Sequence, residues 1–195
     1  MIKTNISNFF SHHICLDYSE DIYISDYTEK TKNITPKRGV EIFSPNFPND
    51  NQYFSIKNPE SLEVTNIIFD NKSFIYSNRT PKSQCETCSF PKISSKGNWI
   101  LFTELKYSSK PANNEKNLKK AIRQLYKTRN HYLMGGVFKR NEHPSYLIGS
   151  LPLQGEPFAN FSITQPRLTE LKDNHNVILR LTNKIEIFDE NILLV

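Results

Sequence analysis

The stretch Trp99-Ile100-Leu101-Phe102-Thr103-Glu104-Leu105-Lys106-Tyr107 decides how the rest of the chain is read. Its aromatic and branched residues favour a strand. Side chains alternate across a strand, so Trp99, Leu101, Thr103, Leu105 and Tyr107 share one face. Ile100, Phe102, Glu104 and Lys106 share the other. Both faces begin apolar, the pattern of a central strand covered on each side. Glu104 and Lys106 then emerge next to each other on one face. Partly burying such charges costs on the order of several kcal/mol unless they are paired or bound to something. The plain reading is a strand end closed by a surface ion pair; the sharper one is a site.

Gln84–Phe90 reads as the preceding strand, joined through Pro91–Asn98 with a Gly97-Asn98 turn signal. The midpoint of Glu86 and Glu104 is residue 95, inside that connection. An antiparallel hairpin about this point sets the two glutamates opposite each other on one face, their Cβ atoms about 5 Å apart. Carboxylates that close repel strongly, and a divalent cation relieves the repulsion. Mg²⁺ suits such a pair, being held by one or two carboxylates plus phosphate oxygens and water. Lys106 then lies next to the cation, where it can position a water or stabilise charge on a phosphate.

Upstream, Val64–Phe69 and Ser73–Tyr76 are β-rich and flank Asp70-Asn71-Lys72, good turn chemistry for a hairpin. Before residue 63 the chain is rich in Asn, Ser, Asp and Pro. Only Ile22–Ile24 and Val40–Phe43 suggest short strands there, so 1–63 is read as an extension packed on a core spanning 64–195. Downstream, Asn113 or Asn114 caps the best helix and Glu115 suits its first turn. Leu118, Ala121, Ile122, Leu125 and Tyr126 form its apolar stripe. Lys116, Lys120, Arg123 and Lys127 mark the opposite face, either solvated surface or a track for phosphates. Gly135-Gly136 ends the helix, and Val137–Arg140, Tyr146–Leu151 and Val177–Phe188 read as further strands. A β-meander, one long amphipathic helix and more strands predict an α/β single domain with a central mixed sheet.

Glu104-Leu105-Lys106 at the end of an apolar strand, an acid on the strand before it and an amphipathic helix after it resemble the PD-(D/E)XK nuclease superfamily. The resemblance spans about Val64 to Arg140. It implies a restriction-endonuclease-like core and metal-dependent hydrolysis of phosphodiester bonds, with DNA as the substrate class and restriction, defence or repair as the setting. Glu86 matches the first acid, Glu104 the second and Lys106 the lysine, so the resemblance implies Mg²⁺, or Mn²⁺ in its place, held by Glu86 and Glu104. Gln124, on the flank of the helix stripe with Thr128, matches the glutamine that the family's next helix often carries near the site. Cys85-Glu86 stands where the pattern has Pro before the acid. The family's first helix often supplies another carboxylate; Glu60 and Glu63 are the candidates for it here, and Asp70 competes for the place of the first acid. The rival class is a nucleic-acid-binding or assembly protein that keeps the fold without catalysis.

The formal charge is +5 with a pI near 9.0, which favours a polyanionic partner. No apolar run reaches the roughly 20 residues of a membrane helix. Met1–Phe10 lacks the apolar stretch of a secretory signal, so the expected location is the cytoplasm, away from membranes. Three cysteines, Cys15, Cys85 and Cys88, do not make a disulfide framework. One C-x-x-C cannot close a four-ligand zinc site unless His12, His13 and Cys15 fold onto it, and the rival that follows is a zinc-stabilised interaction protein. Alternation instead sets Cys88 on the Glu86 face as a packing residue. His131 and His143 are candidate general bases or structural histidines. The sequence leaves a homodimer open.

Overall fold

The computed structural model describes residues 1–195. Its elements are helix α1 (Ile2–Phe9), strands β1 (Leu16–Tyr18), β2 (Ile22–Asp26), β3 (Val40–Phe43), β4 (Phe54–Lys57), β5 (Val64–Ile68), β6 (Thr87–Pro91) and β7 (Ile100–Leu105), helix α2 (Asn114–Met134), strand β8 (Ser145–Ser150), helix α3 (Gln165–His175), and strands β9 (Val177–Leu181), β10 (Lys184–Ile187) and β11 (Leu193–Leu194). The chain is α/β, as expected, but it builds two mixed sheets. One has six strands in the order β1-β5-β6-β7-β8-β9; the other has five, in the order β11-β10-β4-β2-β3.

β7 is interior to the larger sheet, antiparallel to β6 and parallel to β8. Parallel neighbours need a crossover, and α2 provides it. α3 does the same between β8 and β9, which are also parallel. The alternation read along β7 is realised. Ile100 and Phe102 enter the core under the helices, together with Ile2 and Ile6 of α1, Leu125 and Tyr132 of α2, and Leu171 of α3. Trp99, Leu101 and Leu105 enter a second core against Ile22, Ile24, Phe54 and Ile185 of the smaller sheet. The molecule is therefore three layers, helices on sheet on sheet, with β7 buried on both faces.

Three expected strands require correction. Ser73–Tyr76 is no strand: Asp70 accepts bonds from the Lys72 N–H (2.8 Å) and the Ser73 hydroxyl (3.0 Å), which closes a local turn. Only an isolated bridge between Ile75 and Pro81 remains of the hairpin. Val137–Arg140 is irregular as well; Val137 and Phe138 drop into the helix-side core as plugs. Val177–Phe188 is two strands in different sheets, since the chain changes layer at Thr182-Asn183. Residue 63 marks no seam. β1 joins the larger sheet, and β10 pairs in parallel with β4, so the two ends of the chain share the smaller sheet.

Candidate active site at the carboxyl end of β7

The register of β6 on β7 pairs Thr87 with Thr103, Cys88 with Phe102 and Ser89 with Leu101. Every pair sums to 190, and the ladder ends at Thr87, one residue short of Glu86. There the Glu86 N–H donates to the Thr103 carbonyl (3.1 Å), one position off that register, and Glu86 lies near enough to Glu104 to feel its charge. Glu86 Oε2 in turn accepts from the Leu105 N–H (3.0 Å). The approach to Glu86 is tied to α2. Gln124 Nε2 donates to the Gln84 carbonyl (2.8 Å), and the Cys85 N–H donates to Thr128 Oγ1 (2.6 Å).

Glu104 is 1% exposed. Its Oε1 is ion-paired with Lys106, and its Oε2 has no hydrogen-bond partner. Burial pushes its carboxyl up to about 7, against the opposing pull of Lys106 and, more weakly, Lys120 on α2. Glu86 retains some surface, but its carboxylate is packed round by protein and is pushed well above the usual range, first by desolvation and then by the charges of Glu104 and Asp26. Two groups of like charge sharing a dry place cannot both ionise cheaply.

A cavity of about 240 Å³ opens at this point, lined among others by Asp26, Thr28, Glu86, Lys106, Tyr107 and Asn117. Glu104 is outside the lining, and Lys106, bonded to it, is part of it. Asp26 is the residue that the sequence reading missed. It ends β2 in the smaller sheet, some sixty positions upstream, where no local signal marks it. Tyr107 fixes it there: its hydroxyl accepts from the Asp26 N–H (3.0 Å) and donates to the Gln52 carbonyl (2.6 Å). The Asp26 carboxylate accepts from the Thr28 N–H (2.8 Å). The site thus sits where both sheets end, at the carboxyl end of a strand with a parallel neighbour.

The other candidates fall elsewhere. Gln124 contacts the segment before Glu86 and neither carboxylate, and its Oε1 is buried without a partner. Glu63 pairs with Lys92 on the surface, Glu60 is exposed, and Asp70 serves its own turn. His143 Nδ1 lies 2.8 Å from the Asn98 carbonyl, at the opposite end of β7, and His131 stacks on Phe74 with ring centroids 4.8 Å apart. Cys85 and Cys88 are free and buried in the helix-side core, and His12 and His13 both engage the Ser73 carbonyl at 3.0 Å. Lys116, Lys120, Arg123 and Lys127 are exposed along α2 and none of them enters an ion pair; Lys119, one step round the helix, pairs with Glu115.

No group of three or more His, Cys, Asp or Glu side chains is spaced to enclose a metal ion. Of the two glutamates, Glu86 lines the cavity, and the unpartnered Oε2 of Glu104 is buried behind it. No helix is long and apolar enough to cross a membrane. Comparison with protein-family models, with curated proteins and with solved structures gives no match for this chain.

Proposed function

We propose that the protein is a divalent-metal-dependent nuclease that hydrolyses phosphodiester bonds, with DNA as its substrate, at the cavity lined by Glu86 and Lys106, with Glu104 buried behind it. The observation that carries this reading is the cluster: a buried carboxylate, Glu104, with one oxygen unpartnered and the other bonded to Lys106, and a second carboxylate, Glu86, near enough to feel its charge, beside a cavity that Glu86 and Lys106 line. A purely structural ion pair explains Lys106 and one oxygen of Glu104. It leaves the second oxygen and the crowding by Glu86 and Asp26 without compensation, a cost that a fold has no reason to carry. The strand–hairpin–helix–parallel strand order around it is consistent with the restriction-endonuclease-like core that the resemblance implies.

Glu86 and Glu104 would hold Mg²⁺ or Mn²⁺, with Asp26 adding to the negative field; the ion supplies Lewis-acid polarisation of a phosphate oxygen and a more acidic water. The chain's own groups do the rest. Lys106 reaches the cavity from the end of β7 and can donate to a non-bridging oxygen as charge builds there. The exposed cations of α2 begin beside this site, since Lys120 acts on Glu104, and they offer a path for the flanking backbone.

The test is cleavage of single- and double-stranded DNA, and of RNA, with Mg²⁺ or Mn²⁺. Glu104→Ala should abolish cleavage with folding intact. Lys106→Ala should slow it by about 100-fold or more without removing the metal, on the scale of losing one transition-state donor. Wild-type cleavage by Glu104→Ala refutes the assignment; cleavage of RNA alone keeps the chemistry and changes the substrate.

A further inference from the structure

A second concavity lies at the far end of α2, about 380 Å³, between α1 and the loop 73–82. Phe9, Phe74 and Ile75 line it with His12, Lys72 and Lys82, and no Asp or Glu does. Three large side chains around it stand open to solvent: Phe9 is 58% exposed, Ile75 48% and Tyr76 54%. Lys82 Nζ sits 5.4 Å from the Tyr76 ring centroid, a cation–π contact. Asp70, the acid of this loop, is occupied by its own turn and borders a separate cavity with His13.

The groove adjoins the cationic side of α2: Phe74, which lines it, packs its ring 4.8 Å from that of His131, one helical turn beyond Lys127. At the other end Lys120 acts on Glu104. Unpaired positive charge therefore runs from the carboxylate site along α2 to an aromatic recess. Exposed aromatic rings beside cations, with acids excluded, are what single-stranded nucleic acid requires: faces for bases and charges for phosphates. The cations select a polyanion, and the exposed Phe9 and Tyr76 rings beside them select one that carries bases to stack.

We infer that the groove between α1 and the 73–82 loop stacks the bases of a single strand of nucleic acid whose backbone follows α2 to the Glu86–Glu104 site. The inference rests on the nuclease reading for its substrate class and adds a place and a spacing. Lys120 to His131 is eleven helical residues, about 16 Å. At a stacked rise of about 3.4 Å this holds roughly five nucleotides between groove and site.

Fluorescence anisotropy of labelled dT3, dT6 and dT12 in EDTA reads binding without cleavage. Wild type should bind dT12 much more tightly than dT3, with dT6 the shortest of the three to reach the plateau. Phe9→Ala and Tyr76→Ala, both at exposed positions, should each weaken dT12 binding at least about fivefold, the lower range for a lost stacking platform. An abasic strand of equal length should bind wild type as weakly as dT12 binds the variants. Lys82→Ala should lower the salt slope by about 0.7, the single-strand value per phosphate. Binding of dT12 unchanged in Phe9→Ala and Tyr76→Ala, or an abasic strand that binds as well as dT12, overturns the groove. So does a Phe9-dependent dimer in sedimentation, which would make a second copy the occupant. The two readings fail separately. Ring-dependent binding without cleavage sinks the nuclease, and Glu104-dependent cleavage with ring-independent binding sinks the groove.

Discussion

Replacing Glu104 by glutamine should make the metal-free protein more stable at pH 8 and leave it unchanged near pH 4. Glu104 is buried, and its carboxyl is held up at about 7 chiefly by desolvation, against an ordinary 4.5. A carboxyl whose folded value lies above its unfolded one binds its proton more tightly in the fold. Its contribution is therefore most favourable below the unfolded value and is lost as pH rises through 7. A gap of about 2.5 units corresponds to about 3 kcal/mol between the protonated form and the ionised one. Glutamine imitates the protonated form at every pH. It also removes a charge that raises Glu86, so the effect of the neighbour has the same sign. For a domain of this size the gain appears as roughly 6–12 °C in Tm. Urea denaturation of both proteins from pH 4 to 8.5 measures it: the two stabilities should converge at the acid end and diverge between about 5 and 8. A glutamine variant less stable than wild type at pH 8, or a difference that does not change with pH, would show that the ionised Glu104 is well compensated by Lys106, and the case for an unfilled ligand oxygen would go with it.

Calorimetric titration of Mg²⁺ near pH 6.5 should release protons, seen as an enthalpy that depends on the buffer, because Glu86 and Glu104 must ionise to bind; no proton release would mean that these carboxyls are not the ligands. Neutralising Lys116 and Lys120 together should lower the salt slope of duplex binding by about 1.8, and an unchanged slope would return the α2 face to ordinary solvation. Tyr107→Phe removes one hydroxyl that serves the Asp26 N–H and the Gln52 carbonyl. The expected loss is about 1–3 kcal/mol in denaturation, and a silent variant would detach Tyr107 from the placement of Asp26.

The larger sheet was legible because its decisive signals are local. The period of two along Trp99–Tyr107 sorted the residues between two cores, and the symmetry about residue 95 gave the β6–β7 register as far as Thr87 and Thr103. The helical stripe from Leu118 to Leu125 was equally plain. What stayed hidden depends on pairings across most of the chain. β4 meets β10 with Ser55 opposite Lys184, so nothing near either strand announces the partner. Asp26 entered the site through that second sheet and could not be seen from its own neighbours. α3 escaped for a different reason. It buries only Leu171 fully, so it has almost no apolar stripe, and its marks are a Pro in the first turn and the left-handed Asn176 that ends it. Ser73–Tyr76 misled because its β-forming residues sit in a turn that buries Phe74 and leaves Ile75 and Tyr76 exposed.

The parallel pairing of β4 with β10 also sets an order of events during synthesis. Residues 184–187 leave the ribosome well over a hundred residues after their partners at 55–57, and until they do the smaller sheet stops at β4. The helix-side core, the β6–β7 hairpin and the neighbouring Glu86 and Glu104 can all be in place before then. The layer that carries Asp26 lacks its last two strands, together with Ile185, Ile187 and Leu193, the apolar residues that they press against the face of the larger sheet. The sandwich beneath β7 is thus finished by residues 184–194, and a nascent polypeptide carries its carboxylate cluster on a floor still missing its final boards.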